Sequence, residues 1–102
     1  MKPTRMVDEA LSEVIETAGQ IENARAGYGE RFFCAVESFK QIISQFPQLY
    51  EEVLRPPKGR DIRQGTLNGF PHVVVYEVKT DEIVILSVTH GHQRNRPWRG
   101  RL

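Results

Sequence analysis

The side chains able to do chemistry gather near the end of this chain. His90-Gly91-His92 places two imidazoles two residues apart. In an extended strand such a pair points to one side, and imidazole titrates close to neutral pH. Arg63, Arg94 and Arg96 supply cations, and Trp98 stands among Pro97, Arg94, Arg96 and Arg99. If the strands carrying Arg63 and His90 frame one concave face, these groups could hold phosphates and stabilise charge during RNA cleavage. His90 or His92 would then move the proton. Interleaved Arg and Trp also suit a protein interface or a base-stacking surface. Trp98 could equally fold back over the sheet. A zinc site needs a third and usually a fourth ligand. The only other histidine is His72 and the only cysteine is Cys34, distant in sequence, so we expect no metal and no cofactor.

The elements that position these residues fall into two halves. Apolar residues at Ala10, Leu11, Val14, Ile15, Ala18 and Ile21 make a helical stripe, with Asp8 as an N-cap or first-turn acid. Gly27 and Gly29 break it. A second stripe follows at Tyr28, Phe32, Phe33, Val36, Phe39, Ile42, Ile43 and Phe46, until Pro47 ends it. Cys34 is expected on or beside the buried side of that helix. The helical hairpin therefore spans about 8–46. After the linker Arg55-Pro56-Pro57-Lys58-Gly59, three strands are expected within about 61–90: Ile62–Asn68, Pro71–Val78 and Glu82–His90. Asn68-Gly69 and Lys79-Thr80-Asp81 are turns of hairpin length. Met1–Met6 could add an edge strand, with Lys2, Thr4 and Met6 on one side, though Pro3 opposes it. Residues 93–102 form a basic tail.

The expected fold class is α+β: one domain over 1–102, a helical hairpin packed on a small antiparallel sheet. At 102 residues the chain can bury one modest core. No apolar run reaches the ~18 residues that span a bilayer. The acids of MKPTRMVDEALSEV replace a signal peptide's apolar segment. With a single cysteine, these features suggest a cytoplasmic protein. Residues 1–52 hold five Lys/Arg and nine Asp/Glu, whereas 53–102 hold nine and four. The basic second half suits an anionic partner, nucleic acid or acidic protein.

Several segments together resemble the RelE/ParE toxin superfamily. ARAGYGERFFCAVE is similar to its helix-turn-helix joint, and FPQLYEEV to its short element after the second helix. DIRQGTLNGFPHVVVYEV resembles its strand pair, and EIVILSVTHGHQRNRPW its last strand and tail. The likeness covers about residues 8–99. It implies the toxin of a type II toxin–antitoxin (plasmid-stabilisation-like) module, bound as a hetero-oligomer by a cognate antitoxin that can add to its sheet edge. The His, Arg and Pro-Trp tail looks closer to ParE-like members. These act by protein binding, such as inhibition of DNA gyrase, and not as enzymes. On that reading the contact residues are Arg63, Arg94, Arg96 and Trp98, and the tail is dispensable for folding. The alternative is a RelE-like endoribonuclease that cuts mRNA on the ribosome with Arg63, His90 and His92. A third reading is a degenerate, non-toxic homologue that only binds antitoxin.

Overall fold

The computed structural model describes residues 1–91 and 97–102. The elements are β1 (Thr4–Met6), α1 (Asp8–Ala24), α2 (Tyr28–Gln45), β2 (Asp61–Thr66), β3 (His72–Val78), β4 (Ile83–His90) and a closing 3-10 turn, η1 (Pro97–Arg101). The order in the sheet is β1-β4-β3-β2. β2, β3 and β4 form the expected antiparallel meander. The sheet as a whole is mixed, because β1 pairs parallel to β4 with Thr4 opposite Ile83 and Met6 opposite Ile85. Pro3 does not prevent this. Lacking an N–H to donate, it contributes its carbonyl, which accepts from Ile83 N at 2.9 Å.

The two helices arise from the stripes in the sequence. α1 carries Asp8 and Glu9 in its first turn, with Val7 and not Asp8 at the N-cap. The N-cap of α2 is Gly27, whose φ of 87° places it in the left-handed region that favours glycine. Glu22, near the end of α1, accepts from Gly27 N at 3.0 Å and from Gly29 N at 3.0 Å. A carboxylate thus caps the positive end of the next helix. These two hydrogen bonds hold the Glu22 pKa below the ordinary carboxylate value. At Gly29 a Cβ would lie 2.8 Å from Ala18 O, so only glycine lets the helices approach this closely.

The sheet is buried on both sides, as the unbroken apolar runs of β3 and β4 require. On the helical side Ala10, Val14, Ala18, Phe32, Val36, Phe39 and Ile43 meet Val74, Tyr76, Ile83, Ile85 and Val88. On the back, Val53, Ile62, Val75, Val84, Leu86 and Trp98 form a second, smaller core. A bulge in β4 separates Ile85, opposite Tyr76, from Ser87, opposite Val75. The extra residue, Leu86, restores Val88 and His90 to the helical side. Cys34 is exposed, contrary to the sequence expectation. Leu11, Ile15, Phe33, Ile42 and Phe46 are exposed as well, so each predicted stripe is wider than the side that packs.

Candidate functional site

Arg63 sits on the helical side of β2, opposite Tyr76. Its Nε donates to Asp61 Oδ1 at 2.8 Å and its Nη1 to Tyr50 O at 2.8 Å. Glu52 lies 3.7 Å from Nη2, and the Arg63 side chain is only 15% exposed. The guanidinium ties the segment after α2 to the sheet edge. Tyr76 does the same from the next strand, donating its hydroxyl to Pro47 O at 2.8 Å. Burial, ahead of the neighbouring charges, pushes the Tyr76 pKa up to about 12. That hydroxyl is a structural donor at any physiological pH.

His90 lies at the other end of the sheet, opposite His72. The two imidazoles are 5.3 Å apart, and the His72 ring also stands edge-on to Phe32 at 5.0 Å and near Phe70 at 6.3 Å. Burial first, and the His90 charge second, lower the His72 pKa. Arg63 and His90 share the helical side of the sheet but do not meet. Their partners on β3, Tyr76 and His72, are four residues apart and the two strands are not neighbours. Strand geometry then separates the two residues by about 16 Å. The predicted convergence of Arg63 with His90 is therefore absent. His92, Arg94 and Arg96 lie outside the described residues.

Trp98 is 4% exposed and packs into the back core, so its ring is not part of the contact surface expected from the sequence. The reason is burial: the open side of the sheet needs a large apolar cover, and the 3-10 turn supplies it. Arg99 stacks over the indole at 4.4 Å and donates through Nη2 to Leu54 O and Arg55 O at 3.0 and 2.9 Å. Arg101 pairs with Glu13 and donates to Leu86 O at 2.9 Å. Residues 97–102 are thus packed onto the fold through Trp98, Arg99 and Arg101.

Sequence reasoning overlooked His72 as the partner of His90, the anchoring of Arg99 and Arg101, and the exposed apolar surfaces. Leu11 and Ile15 are 47% and 57% exposed one turn apart on α1. Phe46, Pro47, Leu49 and Val78, with Lys2 and Gln48, line a shallow hollow of about 450 Å³. Among the described residues no cluster of three or more potential ligands could hold a metal. Among the same residues no helix is long and apolar enough to cross a membrane.

The geometry defines a small α+β domain whose arginines brace the fold and whose helical side leaves apolar residues uncovered. The model of the family described as "ParE toxin of type II toxin-antitoxin system, parDE" matches residues 5–95, and the chain belongs to that family. Its structure is similar to one described as the chromosomal ParDE TA system from P. aeruginosa. The TM-score is 0.63 and the identity 18%, and the match covers 88% of this chain and 96% of that one. No curated protein sequence matches the chain.

Proposed function

We propose that this member of the ParE family acts on its target by binding and not by cleaving RNA, with DNA gyrase as the target, and that a cognate antitoxin neutralises it. The observation that carries this reading is the engagement of Arg63. A guanidinium 15% exposed, paired with Asp61 at 2.8 Å, with Glu52 at 3.7 Å and bonded to the Tyr50 carbonyl, has its charge largely compensated before a phosphate could approach. Its position on β2 also lies on the order of 16 Å along and across the sheet from that of the imidazole it would have to work with. The antitoxin covers the outer side of the helical hairpin, where Leu11 and Ile15 are uncovered. Apolar residues one turn apart suit an amphipathic partner helix.

The test is to induce the chain in a bacterial host and follow DNA and mRNA integrity in parallel. DNA breaks that precede any loss of mRNA support the binding mechanism. Early mRNA cleavage with intact DNA would overturn it in favour of a ribonuclease. Growth without either lesion would leave a non-toxic homologue that only binds antitoxin.

A further inference from the structure

The back of the molecule, away from the helices, carries a concentration of positive charge. Residues 53–60 contain Arg55, Lys58 and Arg60 and no acid. Arg60 is neutralised, because its Nε and Nη2 bind the buried Glu77 carboxylate at 2.6 and 2.7 Å. Arg55 and Lys58 are exposed. Arg99 joins them from the far end of the chain, since its guanidinium rests on the carbonyls of Leu54 and Arg55. Those acceptors are neutral and leave its charge uncompensated, and the same bonds fix it in place. Arg55 itself is held with φ at 53°, in the left-handed region that few non-glycine residues adopt. Pro56 and Pro57 stiffen the loop that follows. Beside these cations Leu54 is 69% exposed.

We propose that Leu54, Arg55, Lys58 and Arg99 form a docking ledge for an acidic protein segment that also carries an apolar side chain. Charge complementarity sets the sign of the partner. Leu54 sets its class. An apolar side chain seated among the cations gains from an apolar neighbour and nothing from a phosphate backbone. The ring that Arg99 covers, Trp98, is buried, so among the described residues it offers bases no outward stacking platform. The ledge lies across the sheet from the uncovered helical residues. It therefore goes beyond the antitoxin surface proposed above and does not depend on it.

Binding is tested on the full chain with three fluorescent probes: a peptide of repeated Glu-Glu-Leu triplets, the same peptide with Gln for Glu, and a random-sequence duplex DNA. The acidic peptide should bind, and the Gln peptide should bind at least tenfold more weakly. Replacing Arg55→Asn and Lys58→Gln together should weaken the acidic peptide roughly tenfold, about 1.4 kcal/mol. Asn tolerates the left-handed backbone at position 55, and an unchanged thermal midpoint confirms that this variant is folded. Leu54→Asn should weaken binding with every charge intact, and Leu11→Asp with Ile15→Asp should leave it unaltered. Equal binding of both peptides, no loss in the Arg55 and Lys58 variant, or tighter binding of the duplex would overturn the proposal. A loss caused by the Leu11 and Ile15 changes would move the site to the helical side and overturn it too.

Discussion

Glu13 and Arg101 meet at 2.9 Å over the stretch of β4 that β1 leaves without a strand neighbour. β1 covers β4 only as far as Ile85, where Val7 N makes the last ladder bond at 3.0 Å. Beyond it, Val88 N donates to Glu13 Oε1 at 3.0 Å and Leu86 O accepts from Arg101 Nη1 at 2.9 Å. A side-chain pair thus stands in for a strand, one member from α1 and the other from the end of the chain. Edge backbone groups need such partners to escape the cost of burial unpaired.

Residues 97–102 should therefore stabilise the fold. Trp98→Ala should cost about 3–5 kcal/mol, the usual range for removing a buried aromatic side chain. Arg101→Ala should cost about 1–3 kcal/mol, because Glu13 and Leu86 O both lose a partner. Equilibrium urea unfolding measures both. Stabilities within about 0.5 kcal/mol of the parent, the usual scatter of a surface change, would show that the tail is peripheral. By the same reasoning, removing residues 97–102 should cost stability, against the expectation that the tail can be removed with the fold intact.

Two glycines should respond in opposite directions to the same substitution. A Cβ on Gly65 would lie 2.6 Å from the Tyr50 ring, which is stacked on Phe39 at 4.9 Å and cannot easily retreat. Gly65→Ala should cost about 1–3 kcal/mol through overpacking. Gly19 is inside α1, and a Cβ there would meet nothing within 4 Å. At that position Gly19→Ala should stabilise by up to about 1 kcal/mol. Thermal denaturation of the two variants decides the matter by the sign of the shift.

Much of the architecture was legible in the sequence. Apolar residues at the helical period located both helices, and the runs PHVVVYEV and EIVILSVTH located the two central strands. The parallel placement of β1 was not legible, because MKPTRM carries no sign of direction. Nor was the pairing of His72 with His90. Counting back from the Lys79 turn, where Val78 faces Ile83, an unbroken ladder would set His72 against Thr89. The bulge at Leu86 adds one residue and brings His90 into place, and nothing in the run of apolar residues marks it. Arg63 and Trp98 were conspicuous by type, but whether a cation or an indole faces solvent depends on neighbours far away in sequence. Here those neighbours are Tyr50 for Arg63 and Val53 for Trp98.

The histidine pair should make stability depend on pH. His72 faces Phe32 from α2, Phe70 from the turn before β3 and His90 from β4, and among the described residues His90 is the charged group acting on its titration. Burial and that like charge lower its pKa in the folded state from an ordinary 6.5. The unfolded chain then binds more protons than the folded one as pH falls below that value, so stability declines. It is regained as pH rises back to neutrality. His72→Gln should flatten this part of the profile. Urea midpoints measured from neutral to mildly acidic pH test it, and an unchanged slope in the variant would assign the dependence to other groups.

Arg63 should separate structure from activity. Arg63→Ala removes the bonds to Asp61 and Tyr50 O and frees the segment after α2 from the sheet edge. A loss of about 2–3 kcal/mol is expected, in the range for hydrogen bonds to charged groups. His90→Gln removes the one described imidazole that could serve a ribonuclease from the last strand. If the chain acts by binding, His90→Gln arrests growth as the parent does. Because its side chain is 15% exposed and held by Asp61 and Tyr50 O, Arg63 should serve the fold and not the contact surface expected from the sequence, and Arg63→Ala then loses activity only in proportion to its loss of folded protein, which circular dichroism on the purified variant quantifies. A fully folded Arg63→Ala chain without toxicity, together with an inactive His90→Gln chain, would instead place both residues in a catalytic role. It would also require the Arg63 side chain to leave Asp61 and reach across the sheet.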